Sequence, residues 1–427
     1  MADRIDTGST SFRFVLVAAL TLAALIPLGM VSCVASDRSE NYNEAVMSVG
    51  TSWGLEQHFS GPVILIPIAG DEGDGEDFVA VMPERLEVEM AIAHEFRRRG
   101  IFEVPVLEVE ASARGNFPGI DLQDLEERFG PLRSDQAVLS VGIRDTRGIR
   151  SAGLTLRGRE MDPVTVPNGP FGSGIAATLT DLTGGGAFEM DLSLRGTGSL
   201  SVVANGDVTT IDMESTWPHP SFTGRFLPDE RQVRPDGFTA SYTVSGLARG
   251  YPSIFRALPT ERENAFVNES VGYNMFEPVN LYSSVARSVK YGVLFVALTL
   301  VGLLCLELST GLRFHFVQYA VTIVALALFF MTLLALAEYI GFTPSYVLSA
   351  ALLTTMISWY AHGTIRKRRL TALVASLLVS LYAVMYLLLR LESYSLLVGT
   401  AVLLLTLGIL MRTTRNLKSP NRSESKD

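Results

Sequence analysis

The sequence predicts an α-helical membrane protein with about six transmembrane helices and a large, mainly β extracytoplasmic domain inserted between helices 1 and 2. The first observation behind this prediction is a set of apolar runs, each about 20 residues long, at the N-terminus and in the last third of the chain. The second is the long segment between them, in which apolar and polar residues alternate. Composition agrees, because 48% of residues are hydrophobic, 19% are charged and the mean hydropathy is +0.29. These values exclude a disordered chain, and two cysteines exclude a disulfide scaffold.

The first predicted span covers residues 14–35, an almost uninterrupted apolar run long enough to cross roughly 30 Å of hydrocarbon as a helix. A short segment containing Arg4 and Arg13 precedes it, as in a signal peptide. The run is longer than the apolar core of a cleaved signal, and no clear Ala-x-Ala site follows it. We therefore expect an uncleaved transmembrane helix that follows a cytoplasmic segment over residues 1–13.

Residues 291–411 are predicted to form a block of five further transmembrane helices, followed by a polar cytoplasmic tail over 412–427. The five predicted spans are 291–308, 316–337, 346–361, 371–389 and 395–411. The connection after 346–361 carries four consecutive basic side chains, and short loops rich in Lys and Arg lie on the cytoplasmic side. These topology-determining residues are Arg366, Lys367, Arg368 and Arg369. Counting back through alternating spans places both termini in the cytoplasm and residues 36–290 on the opposite, extracytoplasmic side of the membrane.

The segment over residues 36–290 reads as an acidic domain built mainly of β-strands. From Ala35 to Lys290 it holds 37 acidic and 22 basic side chains, and the whole chain has a net charge of −9, which argues against a nucleic-acid partner. Helices are predicted over 41–58 and 121–129. Alternating or short apolar runs predict strands at 63–68, 86–92, 101–109, 137–143, 187–194, 200–203, 208–213 and 238–244.

Motifs for catalysis, cofactors and metals give no candidate site. No two of the five histidines are three or four residues apart, so no helix face offers a two-histidine metal site. Gly172, Gly174 and Ala177 fit the spacing of a dinucleotide fingerprint, but no strand and helix are predicted around them, and we interpret the segment as a glycine-rich β-turn. We predict no catalytic residue, no cofactor and no metal.

Two acidic side chains lie near the ends of predicted spans. Glu307 is near the inner end of the second span and Glu338 near the outer end of the third. A carboxylate buried in hydrocarbon is costly and suggests a path for protons or ions. Because both residues are close to a membrane boundary, we expect the headgroup region to solvate them, and a proton-relay role is the alternative.

Several motifs resemble those of the CreD family of bacterial inner-membrane proteins. The motif Trp217-Pro218-His219-Pro220-Ser221-Phe222 is similar to a signature block of that family. Further matches are Arg99–Phe102, Asp145–Ile149, Pro278–Tyr282, Arg287–Gly292 and Glu338–Phe342. The resemblance covers nearly the whole chain except the glycine-rich region 172–186. It implies a protein of envelope integrity, whose family expression is tied to a two-component sensor and to β-lactam stress, and it supplies no catalytic residues.

Within the signature block, Trp217, His219, Ser221 and Phe222 form a candidate contact motif. Pro218 and Pro220 are expected to hold an extended segment while the aromatic rings fill core space. A ligand or base role for His219 is the alternative.

The functional hypothesis from the sequence is a non-enzymatic inner-membrane protein that maintains the cell envelope. Its expected partners are membrane lipids and envelope proteins, and its oligomeric state is left open. A transporter or proton-coupled membrane protein that uses Glu307 and Glu338 is one alternative. A membrane-bound enzyme that modifies the envelope is another.

Overall fold

A computed structural model describes residues 10–69, 77–169, 172–182, 184–257, 269–275, 281–310, 314–390 and 395–415. The chain divides into two compact units. The membrane unit comprises residues 1–41 and 279–427, and the sandwich domain comprises residues 42–278. Parts of the predicted N-terminal segment (1–9), of the Pro278–Tyr282 motif (278–280) and of the polar tail (416–427) lie outside the described residues.

The helices of the described ranges are α1 (Thr10–Ala23), α2 (Leu25–Trp53), α3 (Leu122–Phe129), α4 (Leu281–Thr310), α5 (Phe316–Ile340), α6 (Phe342–Ile365), α7 (Arg368–Arg390) and α8 (Ser395–Thr414). Apart from α3 and the polar second half of α2, they follow the apolar runs of the sequence. In the membrane unit α4 packs against α1, α5 and α7, and α6 packs between α5 and α7. Helix α8 touches α4 and α7, and most of its leucine side chains stay exposed.

Five helical segments in the described ranges are long and apolar enough to cross a membrane. They are Arg13–Trp53, Ser284–Thr310, Phe316–Ile340, Arg368–Leu389 and Leu397–Thr414. Helix α6, over the predicted span 346–361, is not among them because serines, threonines and Pro344 lower its hydropathy. Ser345 and Ser349 of α6 are fully buried, so part of this polarity faces neighbouring helices. The structure thus supports a multi-span protein with a β domain after its first helix, as predicted.

The N-terminal helix is longer than predicted. The sequence suggested a span over 14–35 and a separate helix over 41–58, but α2 continues without interruption from Leu25 to Trp53. No proline or glycine lies between residues 36 and 49 to end it. The helix stops at Gly54, whose φ of +135° is accessible to glycine and costly for other residues. The prediction was therefore wrong at its C-terminal end, where His58 lies in a strand.

The described residues of the sandwich domain form two mixed β-sheets. The first has the order β13-β17-β11-β1-β5-β9-β8, with β2 paired to β1 and β16 paired to β2. Its strands are β1 (Gln57–Pro67), β2 (Phe78–Val81), β5 (Val138–Ile143), β8 (Val164–Gly169), β9 (Gly172–Thr178), β11 (Ser199–Val203), β13 (Pro220–Gly224), β16 (Ile254–Ala257) and β17 (Ser270–Met275).

The second sheet has the order β14-β15-β12-β3-β4-β10-β6-β7. Its strands are β3 (Arg85–Arg99), β4 (Phe102–Phe117), β6 (Ile149–Leu156), β7 (Arg159–Met161), β10 (Gly186–Thr197), β12 (Val208–Ser215), β14 (Glu230–Arg234) and β15 (Gly237–Ser245). The long β3–β4 hairpin forms its centre, with residues paired from Arg85↔Asn116 to Arg99↔Phe102.

One main hydrophobic core joins the two sheets. Phe59, Leu139 and Tyr273 from the first sheet and Leu107 and Leu192 from the second belong to the same buried cluster. Such clustering is expected when two sheets pack face to face through alternate side chains. The sandwich domain is therefore organised around a single principal core.

The segment predicted as a glycine-rich β-turn is strand β9, so that interpretation was wrong. Gly174 pairs with Gly142 of β5. A Cβ atom at position 174 would lie 2.1 Å from the carbonyl oxygen of Val141, so the neighbouring backbone approaches too closely for any side chain. The glycines here therefore permit close strand contact.

Candidate functional site: buried ion pairs of the membrane unit

Glu307, near the end of α4, is buried inside the membrane unit. Its side chain is 2% exposed, and its Oε1 atom lies 2.7 Å from Nη1 of Arg13 on α1. The Tyr319 hydroxyl donates to Oε2 at 2.7 Å, and the Phe314 backbone N–H donates to Oε1 at 3.3 Å. A capping box between His315 and Gln318 begins α5 and so fixes the turn that carries Tyr319. Both carboxylate oxygens are thus bound by protein groups.

The expectation that lipid headgroups solvate Glu307 was wrong. The sequence placed this residue near a membrane boundary, but protein atoms exclude solvent from it and Arg13 supplies the counter-charge. A buried ion pair is tolerated when its charges are matched and its remaining lone pairs accept hydrogen bonds. Arg13 and Tyr319 were not predicted from the sequence to be partners of Glu307, although both Arg13 and Glu307 lie at the predicted cytoplasmic ends of spans.

Glu338, near the end of α5, faces Arg38 of α2. The Nε atom of Arg38 lies 3.7 Å from Oε1 of Glu338, and the two side chains are 44% and 11% exposed. That distance is too long for a hydrogen bond, and the Glu338 Oε1 atom has no hydrogen-bond partner. The membrane unit therefore pairs both boundary acids with arginines of its N-terminal helices, tightly at Glu307 and loosely at Glu338.

Aromatic rings fill the interior between α4, α5, α6 and α7. The Tyr382 ring lies 4.7 Å from the ring centroids of both Phe295 and Phe329. The Tyr346 hydroxyl donates to the carbonyl oxygen of Tyr382 at 2.7 Å, whereas the Tyr382 hydroxyl is buried without a partner. This cluster packs α6 against α4, α5 and α7, which are apolar enough to cross a membrane.

The predicted contact motif divides between the core and the surface. Trp217 is buried in the main core and its Nε1–H donates to the carbonyl oxygen of His219 at 3.1 Å. Phe222 packs edge-on against Phe238 with ring centroids 5.3 Å apart. His219 and Ser221 are exposed. Ser221 and Phe222 lie on β13, which is one edge strand of the first sheet among the described residues.

A polar cluster around His94, which the sequence did not suggest, lies beside Trp217. His94 Nε2 is 3.0 Å from the Tyr273 hydroxyl, Nδ1 is 3.1 Å from the Thr216 hydroxyl, and the Trp217 ring centroid is 5.3 Å away. Burial lowers the pKa of His94 to about 4 and raises the pKa of Tyr273 above its usual value. His94 is therefore neutral at pH 7 and both its ring nitrogens are occupied.

A second neutral histidine lies at the start of β1. His58 Nδ1 is 2.7 Å from the hydroxyl of Ser201, its partner in the parallel β1–β11 pair. Burial, with a smaller contribution from the nearby positive charge of Arg144, lowers its pKa to about 4. The hydrogen-bond partners of both histidines could not be predicted from the sequence, because they come from segments distant in the chain.

The four predicted topology-determining residues lie in and directly after the α6–α7 connection. Arg366 ends α6 in the left-handed conformation, with φ of +52°. All four basic side chains, Arg366, Lys367, Arg368 and Arg369, are exposed. No group of three or more His, Cys, Asp or Glu side chains within the described ranges is arranged to hold a metal ion.

Comparison with known proteins identifies the family. A sequence model of the family described as "Inner membrane protein CreD" matches residues 9–419 of this chain. The chain belongs to the CreD family. The inner membrane protein CreD of Escherichia coli (strain K12) is 29% identical over 426 residues, which cover 93% of this chain and 90% of that protein.

Membership in the CreD family agrees with the resemblance noted in the sequence motifs. The match spans both the membrane unit and the sandwich domain, so it applies to the whole architecture. A CreD-family protein is a membrane protein, and the chain has several helices suited to crossing a bilayer.

Proposed function

We propose that this protein maintains the bacterial cell envelope without catalysing a reaction, and that its sandwich domain acts outside the cytoplasm by contacting envelope components. The observation that carries the proposal is strand β13, an edge strand of the first sheet in the described part of the chain. An edge strand presents backbone groups that can pair with another chain. On β13 the core-filling Phe222 fixes the strand while Ser221 stays exposed.

The proposed orientation places the sandwich domain in the periplasm and both termini in the cytoplasm. The support is the basic α6–α7 connection, since Lys and Arg concentrate in short cytoplasmic loops. It requires α6 to span the membrane together with the five more apolar segments. The 24 residues of α6 contain no Asp, Glu, Lys or Arg, and a helix of that length covers roughly 36 Å.

The test is barrier function in a deletion strain. Dye uptake and leakage of periplasmic proteins under detergent or β-lactam stress are measured with plasmids that supply the full-length chain or a chain lacking residues 42–278. We expect rescue by the full-length protein alone, with membrane levels compared by immunoblot. An unchanged barrier in the deletion strain would refute the proposal.

A matched pair of variants tests the edge strand itself. Ser221→Lys places a charge on β13, whereas Gln232→Lys places the same charge on β14, an edge strand of the second sheet. Both wild-type side chains are exposed, so neither change disturbs the core. We expect Ser221→Lys to abolish rescue and Gln232→Lys to preserve it. Equal rescue by both would remove β13 from the proposal.

Proton-coupled transport is the second candidate, and the burial of Glu307 favours it. Ionisable residues inside a membrane bundle often serve proton or ion paths. If Glu307 relays protons, Glu307→Gln abolishes rescue of the barrier although Tyr319 keeps an acceptor. Under the envelope-contact proposal the same variant keeps its function in proportion to the amount of folded protein in the membrane.

A further inference from the structure

An apolar groove lies between α4, α5, α6 and α7 at the end of the membrane unit where α6 ends. Its walls include Leu303, Thr322, Ile357, Ala361 and Val374. The groove is narrow and shallow, with a cavity volume of about 30 Å³. Its wall also contains the ring of Tyr319, whose hydroxyl is held by Glu307, so one side of the groove is fixed by the buried ion pair.

The mouth of the groove is basic. Thr364 and Ile365 line the groove, and the next four residues along the chain are Arg366, Lys367, Arg368 and Arg369. All four are exposed, and none of the ion pairs found among the described residues involves them. Four neighbouring cations beside an apolar groove match a ligand that has an anionic head and an apolar chain.

We propose that this groove is a binding site for one anionic phospholipid. Its acyl chain lies along Ile357, Ala361 and Val374, and its phosphate headgroup contacts the basic residues at the α6–α7 connection. Basic pockets between transmembrane helices bind anionic headgroups, and each Lys or Arg near the headgroup strengthens the attraction. All residues of the site belong to the membrane unit, so the proposal does not depend on the envelope-contact proposal.

The position of the groove fits a lipid better than a soluble anion. The wall residues are mainly apolar and most lie within α4, α5, α6 and α7, of which α4, α5 and α7 are apolar enough to cross a membrane, whereas the cations lie at the helix ends. A free phosphate gains nothing from the groove. The acyl chain of a zwitterionic lipid can pack in the groove, but its headgroup has no net charge and is attracted less by the basic side chains. The proposed ligand uses both features.

The experiment is native mass spectrometry of the full-length protein in detergent, titrated with phosphatidylglycerol or with phosphatidylcholine of the same acyl chains. The charge variants are two doubles, Arg366→Gln/Lys367→Gln and Arg368→Gln/Arg369→Gln, each of which keeps two basic residues to preserve membrane orientation. Arg412→Gln/Arg415→Gln is the matched control, because it removes two exposed cations that do not line the groove. Ala361→Phe fills the groove without changing charge, and Thr364→Leu is its milder substitute.

We expect one phosphatidylglycerol to bind at least tenfold more tightly than phosphatidylcholine. Each charge double at the groove weakens that binding about tenfold or more, since two cations are lost. Ala361→Phe weakens binding of both lipids, inorganic phosphate at 10-fold excess over lipid does not compete, and the control double binds like the wild type. Equal affinity for the two lipids, or equal loss in the control double, would overturn the proposal. If Ala361→Phe and Thr364→Leu fold and bind lipid like the wild type, or if phosphate competes with the lipid, the acyl chain does not bind in the groove and the proposal is wrong.

Discussion

Breaking the Arg13–Glu307 pair by Arg13→Met should destabilise the membrane unit more than any other loss of a single surface or boundary charge. The substitution keeps an apolar stem but leaves the 2%-exposed carboxylate of Glu307 without its counter-charge. Removing one partner of a buried pair costs about 3–5 kcal/mol. Tyr319 and Phe314 continue to donate to this carboxylate, so we expect the lower end, about 3 kcal/mol.

The double-mutant cycle isolates the pair. Glu307→Gln keeps an acceptor for Tyr319 but leaves Arg13 without its counter-charge. Because Arg13 is 17% exposed and can reach polar surroundings, we expect this variant to lose about 1–2 kcal/mol of unfolding free energy. The double variant Arg13→Met/Glu307→Gln removes the stranded charge and should be less destabilised than Arg13→Met alone. The resulting coupling energy is about 2 kcal/mol, within the range for groups in direct contact.

The assay is reversible unfolding of the purified protein from mild detergent into SDS, followed by circular dichroism. The matched control is Arg38→Met, since Arg38 is 44% exposed and lies 3.7 Å from Glu338. Because Arg38 is largely exposed and too far from Glu338 for a hydrogen bond, losing it should cost about 0–1 kcal/mol. If Arg13→Met costs no more than Arg38→Met, or if the cycle shows no coupling, the assigned role of the buried pair is incorrect.

Three further predictions compare matched changes. Tyr346→Phe removes the 2.7 Å bond to the Tyr382 carbonyl and should cost about 1 kcal/mol in the SDS assay, whereas Tyr382→Phe removes a partnerless hydroxyl and should cost nothing. Gly174→Ala forces a Cβ to within 2.1 Å of the Val141 carbonyl and should lower the melting temperature by several degrees, while Gly153→Ala on β6 meets open space and should not. Because the folded pKa of His94 is about 4 against 6.5 unfolded, the unfolded chain binds more protons and stability falls as pH drops from 6.5 towards 4. Thermal melts at pH 7 and pH 5 measure this loss of unfolding free energy, which should be about 1 kcal/mol smaller in His94→Gln than in the wild type. An equal loss in the two proteins would contradict the neutral-histidine assignment.

Periodic patterns were sufficient to predict the membrane helices and the central strands. The apolar run 316–337 forms most of α5, because a helix in a bilayer needs a continuous apolar run. The alternating run 86–92 forms part of β3, because every second side chain of a half-buried strand faces the core. Edge strands such as β13 and β14 escaped prediction. An edge strand packs on one side only, so Glu230–Arg234 is exposed along its whole length and carries no apolar alternation.

The candidate site could be predicted only in part. Glu307 and Glu338 stood out in the sequence as acids beside apolar runs, but their partners depend on which helices pack together. Arg13 and Glu307 are almost 300 residues apart in the chain, and no local pattern links them. The His94 cluster is similar, since Tyr273 reaches it from another sheet. Long-range pairing is set by the whole fold rather than by local periodicity.

In the proposed orientation, the sandwich domain and the basic α6–α7 connection lie on opposite sides of the membrane. Cysteine accessibility tests it most directly, in a Cys33→Ala/Cys305→Ala background that removes both free thiols. Ser221→Cys and Lys367→Cys place single exposed thiols in the two regions. With a membrane-impermeant maleimide small enough to cross the outer membrane, we predict labelling of Ser221→Cys in intact cells and labelling of Lys367→Cys only after the inner membrane is permeabilised. Labelling of both in intact cells would mean that α6 does not span the membrane, and the account of its orientation would be wrong.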